Sequence, residues 1–318
     1  MKRIVKILVI LILTLAIIVI YLSLYGVKTD KFNKEIIKNV SKINKKINLS
    51  LNEVNYLLNP LNFSINISTK NPKILLEDKS LDLKDITSNI SLKSFISNQF
   101  SIDDLKISTK EIKIKDLISL TRAVEGSPQL FVLDNITKEG LISTDINLKF
   151  DLDGEIKNNY QITGTVKKAK FNIFNKVEID DLNLLFNISN NQLTLKKIET
   201  NLNSIKLKSP LIKIEKKKDI FFIDGEVANK EQNFDINKLK PIFGDLPNNI
   251  EIEKIDFNSV NIFSFNVNKK LKLNNLKLET NLNLENFQIV KNPLNLKTFL
   301  PNYAEQIKLK DHKIKIKL

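Results

Sequence analysis

The chain has 318 residues, 42% of them hydrophobic and 27% charged, the balance of a folded protein. Fifty Lys and Arg against 36 Asp and Glu leave +14, carried almost wholly by Lys, since Arg3 and Arg122 are the only arginines. Without Cys there is no disulfide framework, zinc finger or thiol nucleophile, and the single histidine, His312, excludes a multi-His metal site. No G-x-S-x-G elbow and no glycine-rich phosphate loop occurs, so the residues offer no catalytic set, no cofactor site and no metal site.

The chain opens with Lys2, Arg3 and Lys6, and an uncharged run then extends from Ile7 to Val27. At ~1.5 Å per residue this run reaches about 30 Å, the thickness of a bilayer's hydrocarbon core. Tyr21 and Tyr25 lie near its far end, where amphipathic rings favour the interface. The bulky Tyr21-Leu-Ser-Leu-Tyr25 stretch offers no small-residue cleavage site, so residues 1–27 read as an uncleaved membrane anchor. Lys28, Lys31, Lys34, Lys38, Lys42, Lys45 and Lys46 follow closely, and by charge count alone they would hold the body in the cytoplasm. Large domains cross largely regardless of charge, so the expected topology is a single span with its body beyond the membrane. Lys28, Lys31, Lys34 and Lys38 are candidate contacts for anionic headgroups, against plain solvation of a helix.

Over residues 28–47, Phe32, Ile36, Ile37, Val40, Ile43 and Ile47 follow the spacing of an amphipathic juxtamembrane helix. Beyond it the period falls to two. Ile112–Lys115, Ile146–Leu152, Ile205–Lys208, Ile212–Ile214, Leu271–Leu273, Ile307–Leu309 and Ile314–Leu318 alternate apolar with polar, as strands with one solvated face do. Asp153-Gly154, Asn158-Asn159, Asn190-Asn191 and Asn274-Asn275 sit where hairpin turns are expected. Fifteen or more strands are predicted. Short helices are predicted over Asp116–Val124, Leu130–Thr137 and Leu294–Gln306.

The expected fold is therefore mainly β: a transmembrane helix, then a long, curved, mostly antiparallel sheet over residues 48–318. With few helices to cover it, the sheet's apolar face either closes on itself as a sandwich or stays partly open as a groove. Two runs of one parity are candidate groove linings: Ile146, Leu148 and Phe150, and Leu276, Leu278, Leu282 and Leu284. Along a strand the second run extends about 27 Å, at ~3.3 Å per residue. His312 is expected in a turn, and Asp103-Asp104 and Asp180-Asp181 as turn or edge charges, because neighbouring strand residues point to opposite faces. Scarce Arg and the absence of a recognised motif argue against nucleic acid as a partner.

The order of parts resembles the AsmA-like family of bacterial envelope proteins. An N-terminal anchor and short helical stretch lead into β segments at Ile47–Tyr56 and Leu61–Ile67, then at Ile74–Leu83 through Ile107. Gly140–Gly154 leading into Tyr160–Phe171, and Phe221–Val227, look like the central repeats of that family's YhdP-like branch. The resemblance implies a non-enzymatic protein of the bacterial inner membrane with a periplasmic body. It further implies carriage or shielding of phospholipid along an apolar β-groove between inner and outer membrane. The alternative is a non-enzymatic scaffold whose closed β-sandwich body assists outer-membrane assembly. The alternation of Ile314, Ile316 and Leu318 adds the expectation of an edge strand open to an envelope protein partner.

Overall fold

Alternating Ile, Leu and Phe with Lys, Asn and Asp makes most of this chain strand, and turn-forming Asn pairs set where the strands reverse. The computed structural model describes residues 2–43, 47–76, 79–97, 99, 101–124, 127–173, 177–231, 233–239, 251–268, 272–291, 298–302 and 307–318. These residues form two units: Met1–Ile112 with Asp116–Ser127 and Ser143–Thr163, and Lys113–Lys115 with Pro128–Ile142 and Gly164–Leu318.

The first unit begins with helix α1 (Lys2–Leu24). Among the described residues it is the helix long and apolar enough to cross a membrane, over Lys6–Leu24. Strand β1 (Val27–Thr29) follows after two residues, and helix α2 (Asn33–Ile43) after that. The predicted juxtamembrane helix thus starts later than expected, because Val27–Thr29 is held as strand by pairing with β3. Then come β2 (Ile47–Ser50), β3 (Val54–Asn59), β4 (Ser64–Lys70), β5 (Lys73–Leu76), β6 (Lys79–Ser91), helix α3 (Leu92–Ile96) and β7 (Ile102–Thr109). β8 (Ile112–Lys113) precedes helices α4 (Ile114–Val124) and α5 (Pro128–Ile136), and β9 is Thr137–Lys149. The antiparallel order is β1–β3–β4–β6–β7–β9, with β5 pairing on the first half of β6 and β2 pairing on β5. Val54 and Leu83 are fully buried.

The predicted strand Ile112–Lys115 is cut short, because Ile114 opens α4 and is buried with Ile118 one helical turn on. The predicted helices at Asp116–Val124 and Leu130–Thr137 correspond to α4 and α5. The one predicted over Leu294–Gln306 lies largely outside the described residues.

The second unit holds helix α5, the start of β9, β10 (Gln161–Ile173) from Gly164 onward, and the strands β11 (Val177–Ser189), β12 (Gln192–Leu202), β13 (Ile205–Lys217), β14 (Ile220–Glu231), β15 (Glu251–Asn268), β16 (Leu273–Lys291) and β17 (Ile307–Lys317). β11 to β17 pair in chain order, each antiparallel to the next. Asn190-Asn191 and Asn203-Ser204 form two-residue turns with positive φ at both positions, the conformation that matches strand twist. Asn274-Asn275 is not a turn. Asn275 has φ 52° inside β16, where the pairing with β15 shifts register, so its αL tolerance makes a bulge. Likewise Ile307–Leu309 and Ile314–Leu318 belong to one strand, and His312 stands opposite Leu284 within it rather than in a turn.

A line of irregularities crosses this sheet. Lys168, Asp181 and Lys197 all have φ near +50°. The Lys168 N–H donates to Asn183 Oδ1 at 3.0 Å. The register sets Lys197 opposite Pro210, whose missing N–H would weaken a regular ladder. Between β15 and the segment after β14, Ile205, Phe234 and Ile255 form a closed core with Phe257 and Phe287 against it.

Candidate apolar sheet face

Register decides which side chains share a face. In the second unit Phe186 stands opposite Leu195, Leu195 opposite Ile212, Ile212 opposite Gly225, Gly225 opposite Phe263, and Phe263 opposite Leu278. Leu278 and Leu318 then exchange backbone hydrogen bonds of 3.1 and 2.9 Å. A parallel row runs Ile188, Leu193, Ile214, Ile223, Phe265. Directly opposed residues on antiparallel strands lie on one face, so these rows form an apolar stripe running across the strands. Six inter-strand steps of ~4.8 Å carry the first row for about 29 Å. The reverse face reads Asn187, Thr194, Lys213, Asp224, Ser264, Lys277. An open hollow of about 970 Å³ is lined from both faces of this end of the sheet, by Gly225, Phe263 and Leu278 of the stripe and by Asp224, Ser264 and Lys277 of the reverse face.

The predicted lining residues on β16 meet different surroundings. Leu276 is 45% exposed, Leu278 and Leu282 are half-buried, and Leu284 is 8% exposed opposite Phe257. Phe257 packs edge-on to Phe234 at 5.4 Å, so the stripe ends against a closed core at that point. Between Leu278 and Leu284 lies a polar ladder. Thr280 Oγ1 donates to Asn261 Oδ1 at 2.9 Å, Asn261 Nδ2 donates to Ser259 Oγ at 2.9 Å, and the Ser259 hydroxyl donates to Asn229 Oδ1. The apolar path along β16 is thus interrupted, whereas the path across the strands is continuous. Single-strand alternation shows Thr280 between Leu278 and Leu282 but gives no sign of the cross-strand rows, which are set by long-range register.

In the first unit Ile146 and Leu148 also lie on an apolar face. Ile146 continues through Ile107 and Ile86 to Thr69 and Val54, and Leu148 through Leu105 and Ser88 to Ile67 and Tyr56. Phe150 lies past the end of β9 in an isolated bridge to Ile156. Burial pushes the Tyr56 hydroxyl above its ordinary pKa. The reverse face is polar: Lys28, Asn55, Ser68, Thr87, Lys106, Asn147. Lys28 therefore belongs to β1 and borders a hollow of about 600 Å³ with Asn52, Glu53 and Asn55, while Lys31, Lys34 and Lys38 are exposed before and along α2.

Charged pairs lie off the stripe. Asp104 is not a turn charge, since it sits within β7 and its Oδ2 accepts from Asn89 Nδ2 at 2.7 Å. Asp180 lies within β11 and joins Glu178 around Lys170 Nζ at 2.9 and 2.7 Å, which holds that ammonium's pKa well above the ordinary lysine range. Glu279 receives Lys315 at 2.6 Å and Lys317 at 3.2 Å, which lowers its carboxyl pKa. No family model, curated protein or solved structure matches the chain. Among the described residues no group of His, Asp or Glu could hold a metal ion.

Proposed function

We propose that this protein is a non-enzymatic, membrane-anchored carrier or shield of phospholipid, with acyl chains held on the apolar face of its sheet and water on the reverse face. The observation that carries this reading is the stripe from Phe186 to Leu318, apolar at every step and, at ~4.8 Å per strand, long enough to lie along the whole of an acyl chain. Its surroundings support the reading. α1 is long and apolar enough to span a membrane, and the positive φ of Asp181 with the register shifts between β11 and β12 is an irregularity of the kind by which strands bend. The layout's resemblance to the AsmA-like envelope proteins points the same way, to an inner-membrane anchor and a periplasmic body.

A photocross-linking residue placed at Leu278 or at Lys277, in the full chain in vesicles of phosphatidylethanolamine and phosphatidylglycerol, tests the proposal. Lipid adducts are expected at Leu278 and not at Lys277, which belongs to the reverse face. Adducts at neither position would return the body to a closed scaffold.

A further inference from the structure

The two ends of the first unit's sheet expose different chemistry. Asn59 pairs with Ser64 and Ser64 with Ser91, so the β3–β4 turn and α3 lie at one end. There Leu61 is 95% exposed, Ile96 74%, Phe95 68% and Phe63 53%. The Leu92 N–H donates to the Phe63 carbonyl at 3.0 Å, which ties α3 to the turn and joins these residues into one patch. The opposite end presents Lys70, Asn71, Lys84, Lys110 and Glu111, all exposed.

α1 leaves the sheet at the apolar end. Val27 pairs with Tyr56, which sets Gly26 beside Leu57 and the end of α1 towards Asn59. The junction has no slack: only Tyr25 and Gly26 separate helix from strand. Gly26 has φ +67°, and a Cβ there would lie 2.5 Å from the Tyr56 carbonyl oxygen and 2.9 Å from Leu57 Cδ1. A span fixed in this way carries the sheet end with it.

We propose that Leu61, Phe63, Phe95 and Ile96 insert into the interface of the bilayer that α1 spans, docking the first unit on the membrane surface. The occupant is that bilayer because the patch shares a sheet end with the last turn of α1, where Tyr25 is itself 69% exposed, and because exposed Lys93 stands beside it. Apolar side chains flanked by a basic residue are what an anionic lipid surface takes up. Leu152 and Ile156 are exposed at the same end, but in a hairpin where Asp151, Asp153 and Glu155 outnumber Lys149 and Lys157, a net negative charge that anionic headgroups disfavour. That loop stays in water. The inference rests on α1 spanning a bilayer and not on lipid carriage.

The chain contains no cysteine, so single cysteines at Leu61, Ile96, Leu152 and Lys110 can each carry an environment-sensitive fluorophore. The full chain is reconstituted in phosphatidylethanolamine–phosphatidylglycerol vesicles, using preparations in which a label at Ile12 is quenched by nitroxide lipids. Labels at Leu61 and Ile96 are expected to shift to the blue and to lose most of their emission to nitroxide lipids. Labels at Leu152 and Lys110 are expected to respond to aqueous iodide alone. Iodide quenching at Leu61 and Ile96 equal to that at Lys110 would overturn the proposal. Protection of Leu61 and Ile96 from both quenchers would overturn it too, since protein rather than lipid would then cover the patch.

Discussion

The ring of Phe263 occupies the space above Gly225. A Cβ added to Gly225 would lie 3.0 Å from Phe263 Cζ and 2.9 Å from Ile212 Cγ1. The apolar stripe stays continuous across β13, β14 and β15 because glycine on the middle strand lets its two neighbours close over it.

Gly225→Ala is therefore expected to destabilise the second unit by about 1–3 kcal/mol, the usual cost of overpacking. In a Phe263→Leu background the same substitution should cost less, because the clashing ring atom is gone and neighbouring mutations couple. Urea midpoints from pulse proteolysis of the four proteins in detergent micelles measure this. Equal costs in both backgrounds would show that the ring does not fill the space above the glycine.

Leu278→Lys tests whether the stripe is open. In a closed core an unpaired buried charge unfolds the domain. On an open face the ammonium can reach water, and comparison with lipid-facing barrel positions suggests a penalty of roughly 2–4 kcal/mol at most. The variant is expected to stay folded, judged by protease resistance, and to abolish lipid adducts from a cross-linker at Phe263. Loss of the folded protein would place Leu278 in a sealed core.

β17 is pinned to β16 partly by charge. Glu279 accepts hydrogen bonds from Lys315 and Lys317, and its carboxyl pKa is lowered in consequence. A depressed pKa contributes stability above the unfolded carboxylate value and loses it as pH falls through the folded one. Amide protection of Ile314, Ile316 and Leu318 in hydrogen exchange should therefore hold at neutral pH and drop below about pH 4. The effect should shrink in high salt, since the pair is exposed. Glu279→Gln should remove the acid dependence. An unchanged drop in that variant would assign the effect to another group.

The proposed topology sets the body across the membrane from the N-terminus, against the lysines that follow the span. Alkaline phosphatase fused after Leu318 is expected to be active, and a fluorescent protein exported there through the general secretory route to be dark. The reverse pair of results would place the body in the cytoplasm and remove envelope lipid carriage as its function.

How much of this was legible in the sequence follows from the range of the forces involved. The apolar run Ile7–Val27 and the Ile-Lys alternations are local patterns, and they yield α1 and the strands because hydrophobic periodicity acts over neighbouring residues. The paired asparagines at Asn190-Asn191 likewise declare their turn, whereas Asn274-Asn275, of the same composition, lies inside β16, where pairing with β15 converts it to a bulge. Val27–Thr29 shows the same override, since a segment expected to be helical is strand because β3 offers it a ladder. The stripe from Phe186 to Leu318 has no signature in any window of the chain. Its members are separated by tens of residues and meet only through the registers of successive hairpins, and a one-residue slip in any of them would turn that strand's side chains to the other face. The sequence determined which residues alternate and which run is long and apolar enough to cross a membrane. Tertiary structure decided which of those residues share a face, which of them, like Leu284, are sealed, and that α1 and the exposed patch of Leu61 and Ile96 lie at one end of a sheet.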